Sequence, residues 1–272
     1  MRRAVGLAAA AWLAVLGAGP AAAAPKLGAA DEAAVLQVFE RGTLLYAYDQ
    51  AAWHGTDDLV KKLPDYAQKV GGWIVDGPAE APTLIFFDRD AADPKALYVA
   101  DFRGGTLASA KVLGPADDRA LNAQRKRLIA ARAAAVARFE KANMQRCSDQ
   151  AFNTVVLPPA AAGGAILVYL LTPQKSLDSL PFGGHYRIEV GLDGKAGEPR
   201  RFTNSCLEMP LPRAGDEKLE ALGVSHLLDP LPTEIHVFAM HVAKLPVMVG
   251  AAKKKRVFMV EPGGIRLIGK MR

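Results

Sequence analysis

The chain has 272 residues, half of them apolar and 23% charged, and its formal net charge is +6. This composition is typical of a globular protein that buries a substantial core, as one large domain or two small ones, and it excludes a largely disordered chain. The basic excess is too mild to indicate nucleic-acid binding, so we expect no nucleic-acid partner.

The N-terminal residues are typical of a secretory signal peptide. A basic start at Arg2 and Arg3 precedes an uncharged apolar run over residues 4–18, and small residues follow. The run is shorter than the roughly 18 strongly apolar residues that a membrane anchor requires. We therefore predict a signal peptide over residues 1–23, cleaved after Ala23, and a periplasmic or secreted protein without a stable membrane anchor. Cleavage removes two arginines and lowers the formal charge to +4.

After the signal peptide, residues 24–146 are predicted to form a helix-rich part with a small sheet. The pattern predicts, in order, a helix beginning at Asp31, a short helix from Thr56, an antiparallel meander with strands at 73–76, 83–88 and 96–102, and a long helix over 117–146. Arg125 and Arg132 fall on the Leu/Phe side of the long helix. We expect them to extend their charged ends to solvent or pair with acids such as Glu140, or alternatively to form an anion-binding pair.

The only two cysteines, Cys147 and Cys206, both lie in the exported part of the chain. Because exported proteins meet an oxidising environment, we predict a disulfide between them, closing a loop of about 60 residues. Two free thiols are the alternative. No C-x-x-C spacing is present, so we expect no zinc site at the cysteines.

Residues 147–272 are predicted to form a large antiparallel β-sheet region. Short apolar and β-branched runs separated by turn residues predict strands at 154–157, 165–171, 185–190, 200–207, 234–242, 246–251, 256–261 and 264–268, with one short helix at 216–222. The whole chain is therefore predicted to have an α+β fold, in which the two parts pack as one domain or stay separate.

His226, Glu234 and His236 are the candidates for catalysis. On a strand over residues 234–242, Glu234 and His236 point to one face and His241 to the other. Glu234 and His236 would then serve as an acid–base pair or as metal ligands of a hydrolase, helped by His226 or His185 from neighbouring strands. Histidines that only hydrogen-bond within the sheet are the alternative, and we assign no metal ligand.

Tyr46, Asp49 and Trp53 are the candidates for ligand binding, because they fall on one side of the first helix. An aromatic surface next to a carboxylate stacks a sugar or a similar ring. A core stripe with a capping acid is the alternative.

Several segments in the second half resemble those of a family of uncharacterised exported bacterial proteins. They read GHYR at 184–187, DGK at 193–195, TNSCL at 203–207, HLLDP at 226–230 and PTEIHVF at 232–238. The resemblance implies export and a single fold, and it implies no activity.

The sequence contains no nucleotide-binding loop and no nucleophile motif, and we expect no cofactor. We predict a non-enzymatic periplasmic interaction or small-ligand-binding protein, whose partner is an unknown small ligand or an envelope protein. The alternatives are the hydrolase that uses Glu234 and His236, and a structural component of a cell-envelope assembly.

Overall fold

The computed structural model describes residues 25–212 and 219–271. Within these residues the architecture is α+β, with a long N-terminal helix followed by four mostly antiparallel sheets and few further helices. The predicted fold class is confirmed. The helices are α1 (Ala29–Lys62), α2 (Tyr66–Lys69), α3 (Ala123–Ala142) and α4 (Glu234–Ala243).

α1 is one continuous helix of 34 residues. Acids in its first turn and lysines in its last turn complement the helix dipole, and Pro64 follows its end. The prediction of a separate helix beginning at Thr56 is wrong. The Thr56 hydroxyl donates to the carbonyl of Ala52 at 2.6 Å, so it is satisfied inside the helix and does not cap a new one.

The first sheet is an antiparallel meander in the order β1-β2-β3-β4. Its strands are β1 (Val70–Asp76), β2 (Thr83–Asp88), β3 (Ala96–Arg103) and β4 (Thr106–Val112). The three predicted strands are confirmed, and β4 is additional. It gives a weak apolar signal because each of its side chains is half-buried or exposed. Gly104 and Gly105, both with positive φ, make the turn that returns the chain into β4.

The predicted long helix is present as α3, with shorter bounds than 117–146. Its true N-cap is Asn122, whose side chain accepts from the backbone N–H of Arg125 at 2.9 Å. Asp117 and Asp118 instead accept from backbone N–H groups of the preceding loop. The helix ends at Asn143, which adopts the left-handed conformation typical of a helix end.

Two further sheets follow. The second sheet has the order β5-β6-β8-β9, and the third pairs β7 with β10. The strands are β5 (Asn153–Leu157), β6 (Ile166–Leu171), β7 (Ser179–Pro181), β8 (Tyr186–Val190), β9 (Arg200–Arg201) and β10 (Glu208–Pro210). The strand expected over residues 200–207 is thus limited to its first two residues.

The fourth sheet contains the one parallel pair among the described strands. Its strands are β11 (Leu222–His226), β12 (Val247–Ala251), β13 (Arg256–Glu261) and β14 (Gly264–Lys270), in that order. β11 and β12 are parallel, so the chain between them must cross over, and α4 makes that crossover. Of the short helix predicted over residues 216–222, positions 216–218 lie outside the described residues, and Leu222 begins β11.

The strand predicted over residues 234–242 is therefore wrong, because this segment is α4. Its β-branched and aromatic residues favour a strand locally, but Thr233 and His236 form a capping box that begins a helix. Seven of its ten residues are buried, so the segment is apolar over most of its length, as a buried strand would also be.

The first and second sheets lie side by side, with β1 next to β5, and helices cover both faces. Val75 and Tyr169 pack on the face of α1 and α4, whereas their neighbours Ile74 and Val168 pack on the face of α3. Because successive side chains alternate between faces, strands buried on both sides read as continuous apolar runs. Each face thus has its own cluster of buried residues. Both clusters contain residues from before and after position 146, the predicted boundary between the two parts of the chain.

Cys147 and Cys206 form the predicted disulfide, with their Cα atoms 5.3 Å apart. It joins the loop after α3 to the loop after β9, on the side of the second sheet where Gly184 leaves room for Cys147. The cross-link closes a sequence separation of 59 residues.

Replacing both cysteines by alanine is expected to lower the free energy of unfolding by about 4 kcal/mol, because the long loop is no longer closed in the unfolded state. Urea unfolding followed by circular dichroism measures the change. Reductant should destabilise the wild type and leave the double variant unaffected. A double variant as stable as the oxidised wild type would contradict this expectation.

Candidate functional site

α4 begins with a buried carboxylate in close contact with α1. The side chain of Glu234 is only 2% exposed. A Cβ atom at Gly42 of α1 would lie 2.5 Å from the Cβ of Val237, so only glycine permits this approach of the two helices. The approach brings Arg41 to 3.7 Å from Glu234 Oε1.

The second sheet supplies the partners of Glu234. Tyr169 in β6 donates its hydroxyl to Glu234 Oε1 at 2.8 Å, and Arg187 in β8 donates Nη1 to the same atom at 2.6 Å. Burial is the largest single effect and raises the pKa of Glu234, but Arg187, the backbone N–H of Glu234, Arg41 and the Tyr169 hydroxyl together outweigh it and hold the pKa below its usual value. The carboxylate is ionised, and it ties α4 to the second sheet.

His226 and His236 form an edge-to-face pair, with ring centroids 4.8 Å apart. His226 Nε2 lies 2.9 Å from Asp229 Oδ2, and Asp229 also accepts from Arg200 at 2.8 Å. His236 Nδ1 accepts from the backbone N–H of Thr233 at 2.9 Å. Burial, aided by the nearby His226, lowers the pKa of His236 to about 3, so its ring is neutral at neutral pH. The cavity beside the pair has a volume of only about 80 Å³.

The three candidate catalytic residues therefore do not come together at one site. His226 and His236 meet, whereas Glu234 contacts Tyr169 and Arg187 instead. The prediction that Glu234 and His236 share a face assumed a strand. The segment is a helix, on which residues two positions apart point about 200° away from each other. Among the described residues, no group of three or more His, Cys, Asp or Glu side chains is placed to hold a metal ion.

Three adjoining cavities meet at Trp53 of α1, a residue that is 47% exposed. We call them together the Trp53 cleft. The aromatic cavity, about 450 Å³, lies between α1, α2 and the seam of β1 with β5. The loop cavity, about 310 Å³, lies under residues 172–177. The hairpin cavity, about 640 Å³, reaches the turn between β3 and β4.

Asp49 lines both the aromatic cavity and the loop cavity. Its carboxylate is partly buried, and it forms no ion pair with any residue in the described ranges. Its hydrogen-bond partner is the side-chain amide of Gln50, at 3.4 Å. Burial without a compensating cation raises the pKa of Asp49 to about 6. The ionised carboxylate is therefore disfavoured in the folded protein until a donor or a cation approaches it.

Tyr46 lines the hairpin cavity, where its ring stacks on His241 with centroids 5.0 Å apart. His54 stacks on Trp53 at 5.4 Å. Tyr46, Asp49 and Trp53, the three candidate binding residues, all line the same cleft. Tyr48, their neighbour in sequence, is fully buried and donates to the carbonyl of Gly77.

Sequence reasoning missed the walls of the cleft that come from elsewhere in the chain. Trp73 and Asn153 line the aromatic cavity, and Leu177 lines the other two. Leu177 is 76% exposed, and no pattern in the sequence predicts this exposure. Nothing in the sequence places these residues near α1, because they meet it only where the sheets pack.

The two arginines of α3 have different partners. Arg125 forms an ion pair with Asp76 at 2.7 Å, in line with the alternative in which they pair with acids. Arg132 lies over the ring of Trp73, 4.9 Å from its centroid, and donates to the hydroxyl of Thr154 at 2.7 Å. Burial lowers the pKa of Arg132.

Comparisons with protein-family models, with curated proteins and with solved structures found no match. The resemblance to exported bacterial proteins therefore stays a prediction. None of the helices in the described ranges combines the length and apolar character needed to cross a membrane. The disulfide is consistent with an oxidising compartment.

Glu234→Gln is expected to lower the free energy of unfolding by about 3 kcal/mol, because it leaves the buried guanidinium of Arg187 without its main countercharge. The matched control is Glu189→Gln, which removes the exposed carboxylate bound to the same arginine at 2.8 Å. That control should cost less than about 1 kcal/mol. Equal effects of the two substitutions in urea unfolding would show that burial of the ion pair does not matter.

Asp49→Asn is expected to stabilise the protein at pH 8 by about 1–3 kcal/mol, because it removes an ionised carboxylate whose pKa folding has raised. As the pH falls below 6, the folded wild type binds a proton at Asp49 and recovers this stability. The two proteins should therefore converge near pH 4. Unfolding at pH 8 and pH 4 measures this, with Glu40→Gln, exposed on the same helix, as the control. A variant less stable than the wild type at pH 8 would contradict the effect of burial.

Proposed function

We propose that the protein is an exported, non-enzymatic small-ligand-binding protein and that its ligand lies in the Trp53 cleft. The observation that carries the proposal is the carboxylate of Asp49, which lacks an ion pair with the described residues and lies beside a half-exposed tryptophan where cavities meet. A partly buried carboxylate without a countercharge is unfavourable, and a ligand that donates to it lowers that cost.

The dimensions and chemistry of the cleft support this proposal. Its cavities, of about 310 to 640 Å³, fall in the range of small-molecule sites. Leu171, Phe238 and Val242 provide apolar wall to the loop cavity, and its polar groups come from Asp49, Gln50, Asn153 and the loop at residues 172–176. A cavity that combines apolar wall with convergent polar groups is typical of ligand sites.

The histidine pair is a less favourable place for the site. Glu234 already accepts two hydrogen bonds and is enclosed, and the space beside His226 and His236 is smaller than most ligands. The interactions of these residues explain how α4 is held, so no ligand is needed to explain them.

Export rests on the sequence of residues 1–23 and is supported by the disulfide, which suits the periplasm or the exterior. A protein that captures a small molecule there needs no cofactor. An envelope protein as a further partner stays a prediction.

The test uses saturation-transfer NMR on the purified protein with a library of neutral, cationic and anionic fragments that includes glucose, choline and benzoate. Trp53→Ala is expected to weaken the binding of at least one fragment about tenfold, because it removes the shared wall of all three cavities.

The matched control is Leu36→Ala, which truncates a residue that is 57% exposed on the same helix but lines no cavity of the cleft. It should leave fragment binding unchanged. The proposal fails if no fragment depends on Trp53, or if Leu36→Ala loses the same fragments.

A further inference from the structure

We propose that the aromatic cavity binds an organic cation, either a protonated amine or a quaternary ammonium group. This inference rests on the proposed ligand-binding function and names the class of ligand. It is drawn from the two kinds of side chain that dominate the cavity wall, carboxylates and aromatic rings. They are Asp49, Asp57, Trp53, Tyr66, Trp73 and Phe86.

The charge of the cavity has one sign. Two aspartates line it, and no lysine or arginine does. Neither Asp49 nor Asp57 forms an ion pair within the part of the chain that the structure describes. Arginines and lysines outnumber acids in the whole chain. A cavity whose only charged side chains are negative therefore differs in charge from the chain as a whole. A cation is the ligand that such a cavity attracts and an anion the one that it repels.

The two carboxylates are arranged around the tryptophan. Asp49, Trp53 and Asp57 follow one another at intervals of four residues on α1, so they lie along one side of the helix over roughly 12 Å. A cation seated against the Trp53 ring would therefore have a carboxylate on each side along the helix axis. Ring faces attract cations, and aromatic residues around an ammonium group are a known mode of recognition.

Three lysines on the surrounding elements pair with other acids, and Lys61, four residues after Asp57 on α1, does not line the cavity. Lys62 pairs with Asp58 on α1. Lys69 on α2 pairs with Asp65, the residue just before that helix. Lys175, which lines the loop cavity, pairs with Asp149 at 2.7 Å.

Two neighbouring arginines also interact with other groups. Arg89 donates to the carbonyl of Ala67 on α2. Arg132 approaches from α3, over the ring of Trp73, and donates to Thr154. It covers one face of Trp73 and does not line the cavity. The ligand therefore depends on Trp53 more than on Trp73 for its aromatic contact.

A neutral sugar is the main competing ligand, because it also stacks on tryptophan and hydrogen-bonds to a carboxylate. The two differ in charge. A sugar would bind almost equally well to an amide at position 49, whereas a cation would lose its countercharge.

The experiment compares choline with 3,3-dimethyl-1-butanol, which has the same shape but carbon in place of the charged nitrogen. Calorimetric titration of the purified protein at pH 7.5 is expected to give at least tenfold tighter binding of choline. Asp49→Asn should weaken choline about tenfold and leave the neutral alcohol unchanged. Glu40→Gln removes an exposed charge from the same helix outside the cleft, and it should leave both unchanged.

Choline should also bind about tenfold more weakly at pH 5 than at pH 7.5, because Asp49 is then mostly protonated. His54 beside Trp53 is titratable too, so the contribution of Asp49 is the part of the pH effect that Asp49→Asn abolishes. Asp49→Asn is expected to fold at least as well as the wild type, so loss of binding is not loss of structure.

Failure of this inference is distinct from failure of the proposed function. Equal affinity for choline and the neutral alcohol, or a preference for glucose that Asp49→Asn retains, would overturn the cation and leave the cleft as a ligand site. Absence of any binding that depends on Trp53 would overturn both.

Discussion

Glu234 enters the protein interior at the first turn of α4, where Arg187 and Tyr169 of the second sheet bind its carboxylate. α4 is also the crossover that makes β11 and β12 parallel, and its later residues Phe238 and Val242 line the Trp53 cleft. The ion pair therefore fixes one helix against the second sheet, while α4 in turn joins the fourth sheet to the wall of the cleft. An apolar contact would not set the position of α4 so specifically, because it lacks the direction of a charged hydrogen bond.

Two buried or partly buried carboxylates in this protein have opposite environments. Glu234 has a guanidinium and a hydroxyl in contact, and its pKa is lowered despite burial. Asp49 has only a side-chain amide, and burial raises its pKa to about 6. In the first arrangement the carboxylate has its countercharge inside the protein, while Nε of Arg187 is buried without a hydrogen-bond partner among the described residues. In the second the carboxylate has no countercharge among them, and this contrast is the physical reason for proposing a ligand at Asp49 and a structural role at Glu234.

Local patterns predicted the meander, the long helix α3 and the alignment of Tyr46, Asp49 and Trp53, because each depends on residues close in sequence. They failed at α4. Its apolar residues have high strand propensity, and only the parallel pairing of β11 with β12 requires a helix between them. Because α4 is buried on most sides, its sequence is apolar over most of its length and resembles that of a buried strand. The role of Glu234 was missed for the same reason, since its partners come from strands far away in the chain.

The sequence by itself predicted the α+β class, export, the disulfide between Cys147 and Cys206, and three of the α1 side chains that line the cleft, Tyr46, Asp49 and Trp53. These follow from composition, from the few cysteines available and from helix periodicity. Only the tertiary structure decided which carboxylates have countercharges, because an ion pair depends on distances between residues such as Arg187 and Glu234, 47 positions apart. It also decided that Asp49 has no such partner among the described residues, since that depends on everything packed around α1.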